Sequence, residues 1–453
     1  MSPVDVVIAG AGVAGLTAAR HLHRQGVSFV VLEARDRVGG RTLSQRVGNE
    51  VLDLGGQWIG PTQDRLAALA KELGVRTFPQ HHQGKKLFSW NGKIRRFSGD
   101  VPWLSTFAMI ELLRMRSKLT SLANSIPPEA PWTAPRALDL DGMTLETWKQ
   151  RYLRTSGARV FVDIVSRAVL TSEPRDLSFL YFLSYLRWGQ GLDCLISIPN
   201  GAQQDRFVGG AQQISERMAA DLGDRFRLDT PVLAIEQNAD GLVVRTPSGS
   251  VEAKRAIVAI PPVLAGRIQY SPALPAARDQ LTSRMPMGSV IKYIAVYDRA
   301  FWREAGLSGE AFSDTGVTVT TFDDSSPDGS HPALVSFSDG DVARVWSTRS
   351  PEERKKAVLA EFVRFFGPQA ANPTAFVEKN WLEEPWSRGC YVGVMGPGTM
   401  TAWGPALREP CGRIHWAGTE TATKWMGYID GAIESGERAA QEIVSRMKSA
   451  GGR

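Results

Sequence analysis

An α/β fold, with a second α+β domain threaded through the first, is predicted by three observations. The chain opens on a strand, a glycine-rich turn, a helix and a second strand. Motifs of a ligand-holding kind return near the C-terminus, with different material between. Finally, 453 residues are more than one ordinary core accommodates.

Taken in order, residues 5–9 read as a buried strand, 16–25 as a helix and 28–32 as a second β-branched strand, which is one βαβ unit. Residues 85–96 place Asn91-Gly92 between two strand-like runs, the signal of a tight hairpin. Its Lys85, Lys86, Lys93, Arg95 and Arg96 suit an anionic surface or, more simply, a solvated hairpin. Residues 104–122 and 158–170 have helical spacing of apolar side chains, and the prolines of 125–135 make that segment a connection. Residues 243–262 alternate and then become a buried apolar run, as one strand leaving a sheet would. A helix is expected over 352–366, a short strand over 414–417 and a last long helix over 431–447.

The charge of +6 and pI near 9.2 are modest for this length, and the basic residues are interspersed with acidic ones, which argues against a nucleic-acid partner. Cys194, Cys390 and Cys411 form no C-x-x-C pair and there is no histidine cluster, so a reducing, cytoplasmic setting and no metal are expected. Met1 leads straight into Val6-Val7-Ile8 without a signal-peptide pattern, and no apolar run reaches the roughly 20 residues a bilayer requires.

Gly10-Ala11-Gly12-Val13-Ala14-Gly15 fits G-x-G-x-x-G. Gly10 permits the turn, Gly12 lets backbone approach a pyrophosphate, and Gly15 lets the helix pack on the strand. Glu33, at the end of the second strand, is placed for ribose hydroxyls. Then come Ala34-Arg35-Asp36-Arg37-Val38-Gly39-Gly40-Arg41-Thr42, a second glycine pair bracketed by arginines that are candidates for fixed cations on the diphosphate.

With this run the sequence resembles the flavin-dependent amine oxidase family, and most closely the monoamine oxidases. The resemblance continues through Leu54-Gly55-Gly56-Gln57-Trp58-Ile59-Gly60-Pro61, Asn200-Gly201-Ala202-Gln203, Phe207-Val208-Gly209-Gly210, Trp416-Ala417-Gly418-Thr419-Glu420-Thr421 and Gly427-Tyr428-Ile429-Asp430. It implies a Rossmann-like FAD-binding domain of the GR2 type (1–78, 208–280 and 384–453) interleaved with an α+β substrate-binding domain (79–207 and 281–383). By position it assigns FAD contacts to Gly10, Gly12, Gly15, Glu33, Arg35, Gly40 and Arg41. Gly56, Gln57, Trp58, Val232, Trp381, Cys390, Gly418, Glu420 and Met426 complete the set.

The resemblance also implies the chemistry: a primary amine is oxidised to an imine, water then gives the aldehyde or ketone and ammonia, and dioxygen is reduced to hydrogen peroxide. Lys292 matches the lysine that holds a water near the flavin, and a lysine among apolar residues is costly unless paired or hydrated. Tyr391 and Tyr428 match the two tyrosines of an aromatic cage that steers the amine. Cys390 precedes Tyr391 as in members bonded to FAD through the thiolate, although Arg388 stands where the monoamine oxidase pattern has a glycine; the alternative is a buried inert thiol. No motif supplies a separate general base.

On the substrate side, Trp58, Ile196, Gln203, Thr320 and Phe337 are expected to line a mostly apolar pocket with Tyr391 and Tyr428. Thr320 replaces a large aromatic of some relatives, which suggests a more open pocket. An L-amino acid would need Arg167 or Arg187 for its carboxylate, whereas a polyamine would need a pocket carboxylate, for which the sequence offers no candidate. An oxidase of either kind is one alternative; a non-catalytic flavin-fold protein that binds a partner is another. A homodimer is expected from relatives, and a chain that stops at Arg453, soon after the last helix, is expected to lack a membrane anchor.

Overall fold

The computed structural model describes residues 3–451. Its first sheet has eight strands and begins with Val4–Ala9, which pairs in parallel with Phe29–Leu32 on one side and Gly249–Val258 on the other. The four residues of Phe29–Leu32 are all buried, as a parallel strand covered on both faces requires. Ile414–Trp416 joins Gly249–Val258, so the C-terminal segment returns to the centre of the N-terminal sheet.

Helix Val13–Arg24 buries Leu16, Ala19 and Leu22, and it lies along Ile429–Gly451. Glycine permits these approaches. A Cβ on Gly15 would sit 2.0 Å from the Gly10 carbonyl oxygen, and one on Gly436 would sit 2.3 Å from that of Ala14.

The second sheet has seven strands, in the order Ala375–Asn380, Val290–Val296, Ala333–Asp339, Thr320–Asp323, Leu307–Ser313, Lys85–Trp90 and Lys93–Phe97. Its central strands are buried on both faces. Ile291, Tyr293 and Ala295 pack towards helix Pro351–Phe366 with Val358 and Phe362. Val290 and Ile294 face the opposite way, onto Phe337, Cys390 and Tyr391. The period-two alternation therefore turns Lys292 towards the side where the two sheets meet. A three-stranded sheet of Trp58–Ile59, Asp205–Phe207 and Thr77–Pro79 lies where the chain passes between the larger sheets.

The expected hairpin is Lys85–Trp90 with Lys93–Phe97, turning at Asn91 and Gly92, both with positive φ. One expectation is corrected. Residues 243–262 are not a single strand: Leu242–Thr246 and Gly249–Val258 pair antiparallel, with Thr246 opposite Gly249. The Pro247-Ser248-Gly249 turn was present in the sequence, but continuous alternation on either side concealed it. No helix among the described residues is long and apolar enough to cross a membrane.

Candidate active site

A single cavity of about 760 Å³ runs from the first βαβ unit to the inner face of the second sheet. At its near end, Gly10 adopts φ +104°, and an added Cβ would meet the Ala259 carbonyl oxygen at 2.9 Å. The helix beginning at Val13 has no side-chain cap, so its first N–H groups are left for a ligand at the Gly12 wall. Glu33 is 4% exposed; its Oε2 accepts from Ala11 N at 2.7 Å and its Oε1 from Arg35 N at 3.0 Å. Gly12 and Gly39 bridge the two glycine loops. Uncapped helix donors, a wall carboxylate and loops with no side chain in the way fit the diphosphate and ribose of FAD.

Arg35 and Arg41 line the cavity, and Arg37 does not. Arg35 is held by Glu33, Glu384 and Ser387, and Arg37 donates to the carbonyls of Val38, Gly40 and Thr42. Arg41 makes a two-pronged pair with Glu420 and also donates to the Tyr391 carbonyl at 2.8 Å. Protein acceptors engage all three guanidiniums, which brace the second glycine loop, while Arg35 and Arg41 also face the cavity and Arg35 Nε has no protein partner. Burial works against the Arg41 charge, but Glu420 outweighs it and holds the guanidinium above its ordinary range.

Of the other expected FAD contacts, Gly40, Gly56, Gln57, Trp58, Val232 and Cys390 are on the wall, with Gly418. Gly15, Lys292, Trp381, Glu420 and Met426 are not among the lining residues and lie behind it. Trp381 Nε1 donates to the Leu54 carbonyl at 3.0 Å and so supports the Gly55–Trp58 wall from beneath. Met426 packs its sulfur 3.8 Å from the Tyr181 hydroxyl. Pro385, Trp386 and Arg388 line the cavity without having been expected; two lie outside any legible motif, and Arg388 had registered only as a departure from one.

Lys292 is 2% exposed and donates to the Gly55 carbonyl at 3.0 Å and to Gln57 Oε1. Gln57 in turn donates to Asp324 at 2.8 Å, and Asp324 pairs with Arg206 at 3.1 Å. Burial pulls the Lys292 ammonium down to about 8, against the opposing pull of Asp324 and Asp53. Sequence reasoning missed Asp324, Asp53 and Arg206, because their partners are distant in the chain.

Tyr391 and Tyr428 both line the cavity. Tyr391 stands edge-on to Phe337 with centroids 6.2 Å apart, and Tyr428 is edge-on to Trp425 at 4.8 Å. Burial raises both phenols well beyond their ordinary range, so both rings are neutral donors at physiological pH. Tyr185, from helix Phe179–Trp188, lies 6.5 Å from Tyr428 and was not expected at the site. Cys390 is 6% exposed, and burial pushes its thiol up to about 12 despite the opposing charge of Arg41.

Beyond the tyrosines, Trp58, Ile196, Gln203, Thr320 and Phe337 line the cavity as expected. Helix Ser156–Leu170 adds Phe161, Ile164, Val165 and Val169, whose helical spacing had been legible but not the cavity they face. Neither proposed carboxylate partner is available. Arg167 is bound by Glu173 at 2.9 and 3.0 Å, and Arg187 is exposed on the outer face of its helix, absent from the wall. Conversely, the cavity does hold a carboxylate that the sequence did not reveal, Asp100, beside Lys86 of the hairpin.

The family model described as flavin containing amine oxidoreductase matches residues 13–444. The chain is 45% identical over 446 residues to the Dictyostelium discoideum protein named "Probable flavin-containing monoamine oxidase A", covering 98% of each. Two solved structures superpose with TM-scores of 0.94 at 35% identity: putrescine oxidase bound to putrescine, and cyclohexylamine oxidase from Brevibacterium oxydans. Both cover 98% of this chain, with 99% and 100% of the respective neighbours. With this match running the length of the cavity-forming segments, the chain belongs to the flavin-containing amine oxidoreductase family and is an FAD-dependent enzyme that oxidises amines.

Proposed function

We propose that the chain is an oxidase of primary amines that uses dioxygen and releases hydrogen peroxide. The observation that carries this reading is the continuity of one cavity from Glu33 and Gly12, past Gly56 and Cys390, to Tyr391 and Tyr428. Bound FAD supplies the two-electron acceptor for the carbon bearing the amine. Gly10, Gly12 and Glu33 hold its diphosphate and ribose, while Gly40, Gly56, Gln57, Val232 and Gly418 supply close backbone walls. Arg35 and Arg41 add guanidiniums to its wall, and Gly15, Glu420, Trp381 and Met426 support that cradle from behind.

Tyr391 and Tyr428 present ring faces that orient the amine, and Phe337, Trp58 and Ile196 exclude water around it. Lys292, behind the wall, holds Gly55 and Gln57 in place against the cavity. Release of the imine to water gives the carbonyl product and ammonia. The strands of the eight-stranded sheet all fall within 1–78, 208–280 and 384–453, and those of the seven-stranded sheet within 79–207 and 281–383, which supports those segments as the FAD and substrate domains. The unpaired state of Cys194, Cys390 and Cys411 suits a cytoplasmic setting, and the family resemblance suits a homodimer.

A coupled peroxidase assay with benzylamine and cyclohexylamine tests the reading. One peroxide per amine consumed is the expected result; amine-dependent turnover only with an artificial acceptor would contradict it.

A further inference from the structure

The segment 384–390 spans the FAD end of the cavity. Ser387 Oγ accepts from Arg35 Nη2 at 2.9 Å, beside Glu33, and Cys390 is on the wall with Tyr391. Between Ser387 and Cys390 stands Arg388, exposed and lining the cavity. Its backbone N–H donates to the Glu384 carbonyl at 2.7 Å, and among the described residues no acceptor meets its guanidinium. Its φ is +58°, a left-handed conformation that glycine adopts freely and arginine only at a cost. Glycine is what the monoamine oxidase pattern has at this position. Strained backbone that carries an unpaired charge on a cavity wall is explained by a ligand and not by stability. Trp386, two residues earlier, is 39% exposed on the same wall, a large ring left partly uncovered.

FAD brings a diphosphate with two negative charges to this end. The helix that begins at Val13 offers it N–H donors. Arg35 and Arg41 face the cavity as well, but Arg35 is paired with Glu33 and Glu384 and Arg41 with Glu420, so each guanidinium is matched by a carboxylate. Arg267 is a second wall guanidinium without an acceptor among the described residues. It belongs with the Val232 wall, since Gln269 N donates to the Leu233 carbonyl, whereas Arg388 belongs with Ser387 and Cys390.

We propose that Arg388 is a cofactor-binding residue particular to this chain: its guanidinium is the counter-charge of the FAD diphosphate, and Trp386 covers the same stretch. The proposal deepens the FAD reading of the cavity and is independent of which amine is oxidised. A planar guanidinium matches two phosphate oxygens with parallel N–H donors, and because Arg388 is exposed its attraction is screened by salt. Backbone strain at 388 is thus exchanged for hold on the cofactor.

The test dilutes FAD-loaded, full-length Cys390→Ala protein, in which no thiolate can hold the flavin, and reads the released FAD by its fluorescence at low and high salt. Adding Arg388→Gly or Arg388→Gln raises Kd for FAD roughly tenfold at low salt, the worth of one charge-assisted contact, and removes most of the salt dependence. Arg388→Lys keeps the salt dependence. Arg388→Gly that holds FAD as tightly as its parent, or more tightly because the strain is gone, would overturn the proposal, as would an unchanged salt dependence in Arg388→Gln. In the chain with Cys390 intact, the melting temperature of the FAD-loaded enzyme falls with salt and that of Arg388→Gly does not; equal falls would overturn the proposal too. Absence of FAD from every preparation, the native chain included, would instead overturn the FAD reading.

Discussion

Arg41 and Glu420 form a two-pronged ion pair, with Nη1 to Oε1 at 2.6 Å and Nη2 to Oε2 at 3.0 Å, and the Glu420 side chain is fully buried. The pair joins the second glycine loop to the C-terminal segment after Ile414–Trp416, which are separated by most of the chain. Glu420 also accepts from the Gly393 backbone, next to the Cys390–Tyr391 wall. Glu420→Gln leaves the Arg41 guanidinium in the interior without its counter-charge. The expected loss of stability is about 3 kcal/mol in urea unfolding, together with weaker FAD retention on gel filtration.

Lys292 gives a pH dependence with a definite sign. Burial disfavours the charge and pulls its ammonium down to about 8 in the folded chain, from the ordinary 10.5 of a lysine in water. Between those values the unfolded chain holds the extra proton, so this group's contribution to stability grows as pH rises through the window. Below about 8 it contributes its full burial penalty. Lys292→Met is expected to flatten that rise and to remove a flavin-absorbance change centred near pH 8, measured on the FAD-loaded enzyme.

Gly15 separates steric demand from backbone freedom. Its φ is outside the left-handed region, yet a Cβ there would lie 2.0 Å from the Gly10 carbonyl oxygen and 3.3 Å from Ile8 Cγ2. Gly15→Ala is therefore expected to yield protein without yellow colour. Gly26, at φ +71° with no atom within 4 Å of an added Cβ, is the control: Gly26→Ala costs about 1 kcal/mol and keeps the flavin.

Cys390 is on the cavity wall with its thiol raised by burial, and the charge of Arg41 is the largest influence opposing that shift. Covalent attachment of FAD there predicts that yellow colour stays in the pellet after acid precipitation. Cys390→Ala is expected to release it to the supernatant.

Much of the FAD end was legible because its determinants are local: the glycine spacing and Glu33 at a strand end each follow from a few adjacent residues, as does the Asn91-Gly92 turn of the seven-stranded sheet. The substrate end depends on pairings that sequence does not express. Glu310 is brought to Lys86 by strand pairing between Leu307–Ser313 and Lys85–Trp90, whereas Asp100 follows Phe97, which stands opposite Lys86 in the hairpin. Arg167 looked available as a cation only because its partner Glu173, six residues on, lies past the helix end. The arginines around Gly39 and Gly40 were correctly placed near the ligand loop, but their partners Glu420 and Glu384 come from the far end of the chain.

Tyr391 and Tyr428 on the cavity wall, with Lys292 behind it, set an amine before a flavin that receives its electrons. Anaerobic addition of benzylamine to the purified FAD-loaded enzyme, followed by absorbance, tests it most directly. Bleaching of the flavin band, at least tenfold slower in a Tyr391→Ala, Tyr428→Ala double variant that still holds FAD, is the predicted result. A band that neither benzylamine nor any other amine bleaches would contradict the account.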